Sequence, residues 1–92
     1  MYEVIVQHPA ERFIKSLKKE EQTKLFDAIE QLEENPRIGK ELKGKLSGLR
    51  SLRVDTLESS YRVIYRAKDI KLIVLVLQAG YRGNIYNKKL GK

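Results

Sequence analysis

Apolar residues recur along this chain with two different periods, and the change from one to the other divides it. Residues 2–6, YEVIV, form a short β-branched run that predicts a strand. From His8 the spacing changes. Ala10, Phe13, Ile14 and Leu17 fall three and four apart, on one face of a helix. Pro9 suits the first turn of that helix, where its missing N–H costs nothing. The charged stretch KKEE (18–21) marks a tight joint. A second stripe follows, made of Leu25, Ala28, Ile29 and Leu32, and ENP closes it, because the residue before Pro36 is pushed out of helical geometry. Two consecutive amphipathic helices with a short joint make a helical hairpin, and each stripe needs an apolar surface to cover.

Past Pro36 the period becomes two. RIGKELKGKLSG (37–48), with Gly39, Gly44 and Gly48 among its basic residues, reads as a loop containing at most a turn of helix. LRSLRVD (49–55) alternates Arg50, Leu52 and Val54 against Leu49, Ser51 and Arg53, as a strand with two unlike faces does. TLESS (56–60) is a polar connection longer than a minimal hairpin turn. SYRVIYRA (60–67) sets Tyr61, Val63, Tyr65 and Ala67 against Arg62, Ile64 and Arg66, and KD turns the chain. IKLIVLVLQ (70–78) is apolar on both faces, which predicts the middle of a sheet. The expected fold is α+β, a single domain over 1–92. An N-terminal strand and a helical hairpin precede a three-stranded antiparallel meander. The helices pack on one face of a four-stranded, mostly antiparallel sheet, and the other face is left partly open.

Composition narrows the chemistry. The 92 residues contain no cysteine and one histidine, so the sequence holds no disulfide framework and no spaced His/Cys metal cluster. No stretch approaches the roughly 18 apolar residues of a membrane span, and MYEVIVQHPAE lacks the features of a signal peptide. A cytoplasmic protein without cofactor or membrane partner is the expectation. Residues 1–36 carry a net charge of −3 and residues 37–92 a net of +10. A basic half beside a mildly acidic one is the footprint of a chain that meets a polyanion, although a solvated lysine-rich surface looks the same.

With His8 before a helix and no P-loop ending in GKELKGKLSG, the remaining candidates are arginine, lysine and tyrosine. Arg53 and Arg62 fall on adjacent predicted strands, and Arg82 lies just past the third. Converging, they make a cationic pocket whose planar forks fit phosphate oxygens. Tyr86, four residues past Arg82, supplies a phenol for proton exchange or for stacking on a base. Such a set stabilises the charge that builds on a scissile phosphate as a 2′-hydroxyl attacks. On alternation alone, Tyr61 and Tyr65 read as core aromatics, Arg50 and Arg66 as solvated strand residues, and Lys88, Lys89 and Lys92 as a solvated tail. For Arg62, Arg82 and Tyr86, spacing leaves structural and functional readings evenly matched.

LKGKLSGLRSLRV, then SYRVIYRAKDIKLIVLVLQAGYRGNIY, resembles the core pattern of the RelE/ParE superfamily of bacterial and archaeal toxins, and AERFIKSLKKEEQTKLFDAIEQLEENP is similar to that family's helical hairpin. The resemblance implies the toxin of a type II toxin–antitoxin pair, neutralised by a cognate antitoxin, a small protein with an acidic amphipathic helix. In RelE-like members it implies metal-independent cleavage of mRNA in the ribosomal A site, so that ribosome and mRNA are partners. Carried over position by position, Arg62 and Arg82 hold the phosphate, Tyr86 orients the RNA or assists proton transfer, and Arg53 adds charge. Lys43, Lys45 and Arg50 become candidate contacts to RNA. The ParE branch shares the fold and inhibits DNA gyrase without cleaving RNA, which is the alternative function.

Overall fold

A computed structural model describes residues 1–83. Strand β1 (Glu3–Val6) leads into helices α1 (His8–Lys15) and α2 (Lys19–Glu30), and a 3₁₀ turn at Gln31–Glu33 ends the hairpin. Pro9 lies in the first turn of α1, as expected. The joint is closed by side chains: Ser16 Oγ donates to Phe13 O at 2.6 Å and Gln22 Nε2 to Leu17 O at 2.8 Å. Then come β2 (Lys40–Glu41), a 3₁₀ turn at Gly44–Leu46, β3 (Arg50–Asp55), β4 (Ser60–Lys68) and β5 (Ile73–Tyr81).

The sheet runs β1-β5-β4-β3-β2. The meander β3-β4-β5 is antiparallel, and β1 joins β5 in parallel. β5 therefore has a strand on either side, which is why its sequence is apolar on both faces. The count of strands is five rather than the expected four. Lys40 and Glu41, inside the segment read as loop, pair with Ser51 and Arg50. A two-residue strand has no alternation long enough to detect. The last strand also starts later than its apolar run. Ile70 is fully exposed, Leu72 turns at φ 54°, and pairing begins at Ile73. Hydrophobicity misplaced this boundary because β4 extends to Lys68 and the connection has to be made from the residues that follow.

Both helices cover one face. Ala10, Ile14, Leu25, Ile29 and Leu32 pack on Val54, Tyr61, Val63, Tyr65, Val74, Val76 and Ala79, all buried. Each large side chain so buried contributes about 1.5–3 kcal/mol. A smaller cluster lies on the opposite face, where Leu49 and Ile64 meet Leu42, Leu46 and Leu77. A bulge between Ile64 and Tyr65 shifts the β4–β5 register there. The second face is thus capped near Ile64 by the 42–49 segment.

Two polar networks fasten connections to this frame. Tyr65 Oη donates to Pro36 O at 2.6 Å and accepts from Gly39 N at 2.9 Å. At the other end, Glu21 Oε1 accepts from Thr56 Oγ1 at 2.6 Å and from Tyr61 Oη at 2.7 Å, tying α2 to the β3–β4 loop. The Thr56 hydroxyl and then the Tyr61 phenol hold the Glu21 carboxyl below the usual carboxylate range, because both donate to its ionised form. A depressed folded-state pKa stabilises at neutral pH, and that stabilisation is lost as the pH falls from the ordinary glutamate value through the depressed one. Glu21→Gln keeps the accepting oxygen and removes the charge. In urea unfolding at about pH 7 and about pH 3, the wild type should lose more stability on acidification than Glu21→Gln. Equal losses would mean that the carboxylate charge is not what holds the loop.

Candidate nucleic-acid interface

Strand register builds the site. Arg53 on β3 stands opposite Arg62 on β4, and Arg62 stands opposite Gly80 on β5. One step further along, Asp55 pairs with Ser60. There Arg82 N donates to Ser60 O at 3.0 Å, continuing the ladder one residue past the end of β5. Side chains alternate across a strand, and directly paired residues share a face. Since Val54 and Tyr61 point into the core under the helices, Arg53, Asp55, Ser60, Arg62, Gly80 and Arg82 all belong to the opposite, open face. They form two adjacent rows of three. The three arginines that resemblance singled out come from three neighbouring segments and meet on one surface.

Their environments differ. Arg82 and Arg53 are exposed, whereas Arg62 is half-buried. Its Nε is fully shielded from solvent and has no hydrogen-bond partner among the described residues. Ser51 Oγ is the other such atom, and Ser51 pairs with Ile64, diagonal to Arg62 on the same face. Two arginines directly opposite repel. The repulsion is relieved by Asp55, whose Oδ1 and Oδ2 lie 3.1 and 3.0 Å from Arg53 Nε. Ser60 Oγ also donates to Asp55 at 2.6 Å. That hydrogen bond, then Arg53, and more weakly the charge of Arg82, hold the Asp55 carboxyl below its ordinary range.

Other sequence candidates lie elsewhere. Arg50 pairs with Tyr65 and shares the helix-side face with Leu52; its Nη1 donates to Gly39 O at 2.8 Å. It braces the loop and stands apart from the arginine rows. Lys43 and Lys45 are exposed on the segment that Leu42 and Leu46 anchor over Ile64, so they flank the rows. Tyr81 turns the other way, its ring 5.3 Å from both Phe13 and Tyr61. Tyr61 itself is buried, and burial first, then its bond to Glu21, pushes its phenol up to about 12. Neither tyrosine serves the open face. Tyr86 lies outside the described residues. Sequence reading passed over Asp55 and Ser60, although Asp55 follows Arg53 by two and alternation alone puts both on one side.

The chain as a whole has known counterparts in sequence family and in fold. Residues 4–89 match the family described as ParE-like toxin of type II bacterial toxin-antitoxin system. No curated protein sequence matches the chain. Among solved structures, the toxin–antitoxin complex RelBE2 from Mycobacterium tuberculosis superposes with a TM-score of 0.77 at 29% identity, covering 88% of this chain and 98% of that one. The isolated E. coli RelE toxin gives 0.72 at 23% identity, covering 95% and 93%. The archaeal RelE–RelB complex from Pyrococcus horikoshii OT3 gives 0.65 at 24% identity, covering 89% and 96%. The last two likenesses are ones of fold.

Proposed function

The chain belongs to the ParE-like toxins of type II bacterial toxin–antitoxin systems, and from that premise we propose that it is an endoribonuclease that cleaves mRNA on the ribosome. One observation carries the reading: Arg53 and Arg62 are paired in register on the face away from the helices, with Arg82 in the next row. Three guanidinium groups on one open surface are the equipment for a backbone phosphate. When the ribose 2′-oxygen attacks, a P–O2′ bond forms, the P–O5′ bond breaks, and negative charge grows on the non-bridging oxygens. Arg62 is the half-buried member of the three, so its charge acts on the growing negative charge at a lower effective dielectric than an exposed one. Arg82 and Arg53 hold the flanking charge, and Lys43 and Lys45 meet RNA further along the strand. The 2′-hydroxyl gives up its proton as the P–O2′ bond forms, and the 5′-oxygen gains one as the P–O5′ bond breaks. The step therefore has no net proton change and leaves a 2′,3′-cyclic phosphate and a 5′-hydroxyl. The ribosome-bound substrate supplies the positioning that this open surface lacks.

The expected partner in the resting cell is a cognate antitoxin with an acidic segment complementary to the basic half of the chain. The RelBE2 and RelE–RelB structures are toxins bound to antitoxins. Membership of a ParE-like family also carries a second reading, inhibition of DNA gyrase without RNA cleavage. Expression without antitoxin, with mapping of mRNA 5′ ends, separates the two. New ends inside translated codons, absent in the Arg62→Ala/Arg82→Ala double variant, are the expected outcome. Intact transcripts with accumulated gyrase–DNA cleavage complexes would establish the second reading instead.

A further inference from the structure

Asp55 stands in the arginine rows, yet the proposed chemistry gives it no task, and a carboxylate there repels a phosphate. Its placement is specific. Both of its oxygens lie against the one Arg53 Nε, at 3.1 and 3.0 Å, so the carboxylate occupies a donor that a phosphate oxygen would otherwise take. It is pinned independently by Ser60 Oγ at 2.6 Å, and Ser60 O in turn accepts from Arg82 N. The carboxylate therefore sits where β3, β4 and the end of β5 meet.

We propose that Asp55 is the resident counter-ion of the site, holding Arg53 in the empty state and giving it up to a phosphate of the bound polyanion. The proposal rests on the reading of this face as a phosphate-binding surface. Both side chains of the Arg53–Asp55 pair are about half exposed, 47% and 53%, so solvent screens the bond and Arg53 exchanges partners easily. The Ser60 hydroxyl matters because it keeps the carboxylate satisfied once Arg53 has left. Arg82, whose charge already acts on Asp55, is the second cation beside it. An incoming phosphate thus competes with a tethered anion, and affinity for phosphate away from the proper substrate is held down.

The test uses pyrophosphate as probe and the whole chain, with binding followed through arginine Nε–H signals in nitrogen-15 spectra. Asp55→Asn keeps an acceptor for Ser60 and removes the charge. It should bind pyrophosphate about fivefold more tightly than wild type, and adding Arg53→Ala should abolish that gain. Glu58→Gln is the control: it removes the same charge from the neighbouring loop, where Glu58 pairs with Lys18 at 3.3 Å. No gain in Asp55→Asn, an equal gain in Glu58→Gln, or a gain that survives Arg53→Ala would each overturn the proposal. A chain that follows the expected pattern but leaves mRNA intact would remove the nuclease reading and keep this one. A chain that cleaves mRNA without the Asp55→Asn gain would do the reverse.

Discussion

Arg62→Ala should lower the single-turnover rate of mRNA cleavage on programmed ribosomes by about 10²–10³-fold, the usual effect of losing one preorganised donor to a developing oxyanion. Arg62 is central, with Arg53 on one side and Gly80 on the other, and it is the half-buried arginine of the three. Partial burial makes its charge act at lower effective dielectric than an exposed one. The loss should fall on the rate at saturating ribosome more than on binding, because the interaction strengthens as charge grows on the phosphate. Arg62→Lys should recover only part of the activity, since a point charge replaces a planar fork. The fold should hardly respond. No described residue hydrogen-bonds the Arg62 Nε, and removing a cation opposite Arg53 relieves repulsion, so urea unfolding should shift by less than about 1 kcal/mol. Near-normal cleavage by Arg62→Ala would remove the central residue of the proposed mechanism.

Gly39→Ala should destabilise the folded chain by about 2–4 kcal/mol, with little room to relax. A Cβ at Gly39 would lie 2.6 Å from Tyr65 Oη and 2.8 Å from its Cε1. Tyr65 cannot swing aside. Its ring is completely buried on the core face of β4, and its hydroxyl is engaged by Pro36 O and Gly39 N. Either the loop moves out, leaving those groups unpaired, or the ring moves and opens the core. A loss of that size lowers the melting temperature of a domain this long by on the order of 10–20 °C. Because the loop leads into β2 and the Leu42–Leu46 segment, cleavage measured well below the melting temperature should weaken less than stability does. Thermal unfolding unchanged from wild type would show that the Tyr65 contact does not fix the loop.

Much of this architecture could be read from period alone. Ala10, Ile14, Leu25, Ile29 and Leu32 are buried, as their helical spacing requires. Tyr61, Val63 and Tyr65 share the core face of β4, as alternation requires. These are local properties: a side chain's direction follows from helix or strand geometry within a few residues. The family pattern likewise runs through the linear order of motifs and needs no contact to be seen. That the chain carries arginines at 53, 62 and 82 is legible in the same way.

What the linear order left open is which of those arginines face one another, because pairing joins residues that are distant in sequence. Register set Arg53 against Arg62 and Arg62 against Gly80; alternation had already separated Arg50 from Arg53, but only the tertiary structure bonded Arg50 to Gly39 O. It also brought Ser60 to Asp55 and converted an unremarked aspartate into the partner of Arg53. The short β2 ladder and the exposed turn at Ile70 escaped for the same reason, since each depends on what a neighbouring strand offers rather than on local hydrophobicity. Periodicity therefore determined the elements and their buried faces, while hydrogen-bonded register across the sheet, a long-range geometric constraint, decided which charges share a surface.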